Sequence, residues 1–151
     1  MRAILQRVTE AKVQVDDLSI GEIGHGLLVL LGVNHEDTAA DIDWLVKKIM
    51  QLRIFNDAEG KMNFSVEDVH GGILVISQFT LYADSRKGNR PSYIRSAPPA
   101  VAIPLYEQFV STLRGRFSGH VPTGAFGAMM AVSLVNDGPV TIILDSKQPD
   151  F

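Results

Sequence analysis

A chain of 151 residues, 46% of them hydrophobic, carries enough apolar surface for one core, and a net charge of −3 argues against indiscriminate binding along a nucleic-acid duplex. Cysteine is absent, which excludes disulfides, thiolate catalysis and cysteine–zinc sites and points to a reducing, cytoplasmic setting. The opening MRAILQRVTE mixes charges with short apolar pieces, so neither a secretory signal nor a membrane span is expected.

No linker, repeat or low-complexity tract divides the chain, and one domain over 1–151 is expected. MRAILQRVTEAKVQV nearly alternates apolar and polar residues and predicts a half-buried strand that turns at Asp16-Asp17. GEIGHG lacks the Lys-Ser/Thr of a phosphate loop and reads as a hairpin turn. GLLVLLGV (26–33) is continuously apolar, the pattern of a strand buried on both faces. In HEDTAADIDWLVKKIMQLRIF, Asp37 or Thr38 can cap a helix, and Asp41 follows Thr38 by three. Ile42, Leu45, Val46, Ile49 and Met50 then form its apolar stripe. FNDAEGKMN is turn chemistry, and ILVISQFTLY reads as the central strand. SRKGNRPSYIR gathers Arg86, Lys87, Arg90 and Arg95; on charge alone it is a solvated loop, with a local nucleic-acid contact left open. A second helix is expected from about Pro98, kinked or restarted at Pro104. AFGAMMAVSLV and VTIILDS read as two strands joined by an NDGP turn. Strands with two interposed helices predict an α/β or α+β domain with helices packed on a sheet.

Conventional catalytic equipment is missing. His25, His35, His70 and His120 stand far apart beside turn residues, without metal-ligand spacing, and read as surface or capping groups. No GxSxG elbow, Walker loop or GxGxxG is present. SQFT places Ser77, Gln78 and Thr80 around Phe79 at the end of an apolar run. As a strand it would turn Ser77 and Phe79 to one side and Gln78 and Thr80 to the other. These residues either satisfy ordinary buried partners or line a site, and no neighbouring base activates either hydroxyl.

Taken together, QRV at Gln6 to Val8, GLLVLLGV, SQFTLYAD, LYE.F and TG.FGA.M.VSLVNDGPVT resemble the D-aminoacyl-tRNA deacylase (D-tyrosyl-tRNA deacylase) family nearly end to end. RIFND.EGKMN and KG.RPS belong to the same resemblance, and Pro104 ahead of LYEQF is its main departure. The resemblance implies a β-barrel-like sheet with flanking helices. It implies a hydrolase that uses no metal or cofactor and cleaves the ester between a D-amino acid and the terminal adenosine of tRNA. It further implies a two-fold homodimer in which the Gly138-Pro139 loop of one subunit reaches the site of the other.

Such a substrate would explain the missing base: the resemblance implies hydrolysis assisted by the vicinal ribose hydroxyl, which orients or activates water. The protein then supplies position and donors: Ser77, Gln78 and the amides of Phe79 and Thr80. Thr80 as a covalent nucleophile is the second reading. Phe126 and Met130 match positions that sandwich the adenine, with a core role as the competing one. A cis Gly138-Pro139 bond pressed against Cα would refuse an L-substrate while admitting a D-residue or glycine, and Arg7 would brace it through its fixed fork of donors. A related deacylase acting on wrongly charged L-alanine, and a non-catalytic binder of RNA ends, are the rival readings.

Overall fold

The computed structural model describes residues 1–149, so the last two positions of the expected 1–151 span lie outside the described ones. Among the described residues, seven strands, two helices and one short 3-10 turn follow in the order β1 (Arg2–Val15), β2 (Leu18–Ile23), β3 (Gly26–Gly32), α1 (Ala39–Gln51), β4 (Phe55–Asn56), β5 (Met62–Phe64), β6 (Gly72–Ser77), the turn (Phe79–Tyr82), α2 (Pro99–Arg116) and β7 (Ala131–Asp145). β6, β3, β1 and β7 lie side by side, with β2 beside the far half of β1, as a mixed sheet curled into a half barrel with two helices.

β1 and β2 form a hairpin whose turn residues, Asp16 and Asp17, both take positive φ, the backbone that a two-residue turn between twisted strands requires. GEIGHG is not a hairpin turn. Gly21 to Ile23 lie in β2, and the chain passes at once into β3, which pairs with the other half of β1. Gly26 permits this passage: a Cβ there would lie 2.0 Å from the Gly72 carbonyl oxygen.

β3 is buried on both faces, as its apolar run predicts, because the sheet separates two cores. On the helix side, Leu27, Val29, Leu31, Ile73 and Val75 pack with the α1 stripe of Ile42, Leu45, Val46 and Ile49 and with Phe109 and Leu113 of α2. Inside the curl, Leu28, Leu74 and Ile76 pack with Val8, Ala11 and Val13. The buried residues of β1 thus change sides, from Ala3 and Leu5 to Val8 and beyond, at a break in register around Arg7 and Val8.

Thr38 begins α1, and the Asp41 carboxylate accepts from its amide at 2.8 Å and its hydroxyl at 3.0 Å. Burial alone would raise the Asp41 pKa, but bonds from Ser146, Lys147 and Thr38 outweigh it and hold the carboxyl well below its usual range. α2 continues through Pro104 without restarting. Pro104 sits on the exposed side, so the Ala100 carbonyl left without its donor faces solvent. No helix among the described residues is long and apolar enough to cross a membrane.

Candidate functional site

The sequence-predicted residues fall into two clusters, one after β6 and one within β7. The first departs from the expected strand. β6 ends at Ser77, the Gln78 amide makes the last ladder bond to the Leu31 carbonyl at 2.8 Å, and Phe79–Tyr82 wind into a 3-10 turn. The alternating placement of Ser77 with Phe79 and Gln78 with Thr80 therefore does not occur. Gly32 lets the turn pack down on the end of β3, since a Cβ there would already meet the Gln78 carbonyl and Leu81 at 3.1 Å.

A turn of this kind leaves its first amides without intrahelical acceptors. Leu81 N–H bonds back to the Gln78 carbonyl and Ala83 N–H to that of Thr80, but the amides of Phe79 and Thr80 have no acceptor among the described residues. The Gln78 side-chain amide donates to the Thr80 hydroxyl oxygen at 2.5 Å, so that oxygen is occupied as an acceptor. No carboxylate or imidazole among the described residues takes the Thr80 proton. The buried phenols Tyr82 and Tyr106 are not bases either. Burial, then the nearness of Asp37 and Asp145, pushes Tyr82 far above its ordinary value, and burial pushes Tyr106 up to about 12. Ser77 is half-buried, and the Phe79 ring is 56% exposed. The strand end is an open ledge with two free donors and no proton acceptor beside its hydroxyls.

Segment 122–130 runs beside β6, with Val75 N–H donating to Pro122 and Gly124 N–H to Val75. It carries both expected adenine contacts to the neighbourhood of Ser77. Phe126 lies at the surface, its ring edge-on to Tyr106 at 5.7 Å. Met130 is partly buried against the inner core, its sulfur 2.5 Å from where a Cβ on Gly124 would stand. A Gly124 side chain would displace it.

The second cluster also differs from expectation. NDGP is not a turn between two strands: Ala131–Asp145 is a single strand paired along β1 on both sides of it. Between the pairs Gln6–Thr141 and Val8–Asn136, β1 contributes only Arg7, while β7 contributes Asp137, Gly138, Pro139 and Val140. The surplus is a bulge with an exposed Gly138-Pro139 tip, and that bond is cis, as expected. Beneath it the Arg7 guanidinium is 4% exposed. Its Nε donates to the Asp137 carbonyl at 3.1 Å and pairs with the Asp137 carboxylate at 3.0 Å, and its Nη1 donates to the Ile54 carbonyl at 2.5 Å. The expected brace is present, and through Ile54 it ties the bulge to the residue just ahead of β4 as well.

Gln6, Asn136, Asp137 and Thr141 complete the brace and were not singled out in the sequence. The Gln6 side-chain oxygen Oε1 accepts from the Asn136 side-chain amide and from the Thr141 hydroxyl, while Asn136 Oδ1 accepts from Val140 N–H at 3.0 Å. Their signal was present: all four stand in the QRV and NDGPVT motifs.

Within one chain the clusters do not meet. Arg7 lies level with Leu27 and Ile73, whereas Ser77 lies level with Leu31 and Ala3. β1 and β3 intervene, which puts the bulge about 14 Å across the sheet and about 13 Å along it from the turn. The four histidines are exposed and scattered, and no three of His, Asp or Glu among the described residues group as a metal site.

A sequence model of the family described as D-Tyr-tRNA(Tyr) deacylase matches residues 4–145. A Thermosipho africanus protein named D-aminoacyl-tRNA deacylase is 57% identical over 148 residues, 98% of this chain and 99% of its own length. One of the same name from Flavobacterium johnsoniae is 55% identical over 147 residues, 97% of this chain and 98% of its own. The solved structure titled c-Myc DNA Unwinding Element Binding Protein superposes with a TM-score of 0.91 at 43% identity, over 96% of this chain and 98% of that one. A structure titled as a probable eukaryotic D-amino acid tRNA deacylase shares the fold, with a TM-score of 0.77 at 20% identity over 95% and 97% of the two chains.

Proposed function

The chain belongs to the D-Tyr-tRNA(Tyr) deacylase family, and from that premise we propose that it hydrolyses the ester joining a D-amino acid to the 3′-terminal adenosine of tRNA, so that D-residues are removed before translation uses them. Water adds to the ester carbonyl, the oxyanion collapses, and the ribose 3′-oxygen leaves with a proton; the products are free D-amino acid and tRNA. The observation that carries the mechanism is the turn after β6. Its free Phe79 and Thr80 amides suit a developing oxyanion, with Ser77 and Gln78 as flanking polar groups, and no base is at hand to make Thr80 a nucleophile. The vicinal ribose hydroxyl then orients or activates the water.

Chirality is assigned to the bulge. Gly138-Pro139, held at the protein surface by buried Arg7, acts in a second copy of the chain, because in its own chain it lies too far from the turn. A two-fold homodimer places each bulge in its partner's site. β7 supports this as an outer strand that exposes Leu134, Val135 and Ile143. An L-side chain would collide with the bulge, a D-side chain would point away, and glycine would pass. A thousandfold rejection needs about 4 kcal/mol, which one rigid collision supplies. Phe126 and Met130 hold the adenine, and the cytoplasm is the setting.

The test is deacylation of D-tyrosyl-, L-tyrosyl- and glycyl-tRNA, with a D-tyrosyl-tRNA ending in 2′-deoxyadenosine as the fourth substrate. Release from the D- and glycyl-substrates alone, unaffected by EDTA, with the deoxy substrate nearly inert, is the expected result. Rapid release from L-tyrosyl-tRNA, or an acyl adduct trapped on Thr80, would overturn it.

A further inference from the structure

The exposed segment Ser85–Arg95 has no part in the reading above, yet it is anchored to the candidate site. Asp84 and Ser92 exchange backbone bonds of 2.8 and 2.9 Å and close the segment into a loop, with Gly88 at positive φ near its tip. The chain then returns to the turn. Tyr93 meets Phe79 edge-on at 5.1 Å, the Ser96 hydroxyl donates to the Phe79 carbonyl at 2.7 Å, and Ala97 N–H donates to the Val33 carbonyl at 2.9 Å. The base of the loop is thus fixed to the residue whose amide faces the reaction.

Its cations are not equivalent. Arg86 is engaged by Asp84, with Nε to Oδ1 at 2.9 Å and Nη2 to Oδ2 at 2.5 Å, and those bonds hold the Asp84 carboxyl down at about 2. Lys87, Arg90 and Arg95 are exposed and make no ion pair or hydrogen bond among the described residues. No acidic residue lies between Ser85 and Arg95, so a chain of net charge −3 presents a local cationic ridge at the rim of its site.

We infer that this loop is a phosphate clamp for the single strand that leads into the site, with Lys87, Arg90 and Arg95 neutralising phosphates of the nucleotides just before the terminal adenosine. The inference rests on the proposed aminoacyl-RNA substrate. Because Tyr93 and Ser96 hold the base of the loop against Phe79, a strand whose 3′ end reaches the amides of Phe79 and Thr80 has this cationic rim beside it, within reach of its preceding phosphates. An acidic protein or a lipid surface would have no reason to meet cations fixed to that turn.

The test compares wild type with the K87Q/R90Q/R95Q variant on D-tyrosyl-tRNA and on D-tyrosyl-adenosine, which has no phosphate. For the variant, KM on the tRNA should rise about tenfold or more at low salt while kcat stays within about twofold. The slope of log kcat/KM against log salt should flatten by about 2, the sum of three single-strand contacts of about 0.7 each. On D-tyrosyl-adenosine the two proteins should match within twofold. Equal losses on both substrates would make the loop a scaffold of the turn, and no loss on either would make it a solvated loop; both overturn the clamp. A second measurement needs no turnover: the Kd of a fluorescent single-stranded RNA ending in CCA should rise by a similar factor in the variant. Wild type that binds this strand through the three cations yet cleaves neither substrate would refute the deacylase reading and leave the clamp standing, whereas wild-type affinity in the variant would remove the clamp alone.

Discussion

The bulge in β7 and the turn after β6 are both polar interruptions of a strand, but they are built in opposite ways. In the bulge, almost every polar group is engaged: Arg7 holds two carbonyls and a carboxylate, and Gln6, Asn136 and Thr141 close on one another. In the turn, the polar groups are left available, with two amides unbonded and the Phe79 ring exposed. An element that refuses a substrate by collision must not yield, whereas one that stabilises a transient charge must keep donors free until the charge appears. The contrast assigns stability and selectivity to one region and rate to the other, so substitutions in the two should separate along those lines.

The largest effect is expected from Phe79→Pro. Proline suits the first position of a helical turn, and Gln78, at φ −142 and ψ 81, already lies outside the helical region that a following proline disfavours. The substitution deletes one free amide and leaves the turn intact. Measured against Phe79→Ala, which removes the ring but keeps the amide, kcat should fall about 100-fold or more, with unfolding free energies that agree within about 1 kcal/mol. Equal kcat values for the two variants would remove the amide from the mechanism.

Arg7→Ala should act the other way. It leaves the Ile54 and Asp137 carbonyls without their donor and opens a cavity under the bulge, a loss of about 3 kcal/mol in urea unfolding. The ratio of D- to L-tyrosyl-tRNA deacylation should fall with it. Arg7→Lys keeps the charge but not the fork, and is expected between alanine and wild type. A destabilised Arg7→Ala with an unchanged ratio would separate the brace from chirality.

Gly138→Ala is a smaller change to the same element. The new Cβ would lie 2.8 Å from Val140 Cγ2 and 3.0 Å from Arg7 Nη2, on a backbone with φ of +128. A distortion worth about 2 kcal/mol is expected in the surface proposed to meet the substrate's Cα, so the loss falls on substrate fit: kcat/KM on D-tyrosyl-tRNA should drop approximately 30-fold in a protein that still folds. Thr80→Ala should do least. Its hydroxyl only accepts from Gln78, so kcat should drop less than about tenfold. An inactive Thr80→Ala would bring back the covalent route.

Much of the fold was legible in the sequence because its signals are local. The run in β3, the stripe from Ile42 to Ile49 and the Thr38–Asp41 box each announce themselves within one element. The site was legible as motifs but not as shapes. Gly138-Pro139 reads locally as a turn, and only pairing with β1, more than 120 residues away, keeps β7 one strand on both sides of it. Arg7 was legible as the brace, but the Gln6–Asn136–Thr141 bonds beside it escaped for the same reason, since Gln6 and Asn136 are 130 residues apart. The turn at Phe79 was hidden by apolar neighbours that suit either conformation; the ladder ends because Gln78 makes its last bond to Leu31. In α2, the exposed position of Pro104 decided what its sequence left open.

The central claim is that a complete site takes its turn from one copy of the chain and its bulge from another, and subunit complementation tests it most directly. Phe79→Pro and Gly138→Ala proteins are each assayed alone on D-tyrosyl-tRNA, then unfolded together, refolded as a mixture and assayed again. Half of the dimers should be mixed, and each mixed dimer should hold one site with an intact turn facing an intact bulge. Activity should therefore recover to about a quarter of the wild-type value, well above either parent. A mixture no more active than the average of its two parents would show that turn and bulge serve the same chain, and would contradict the shared site.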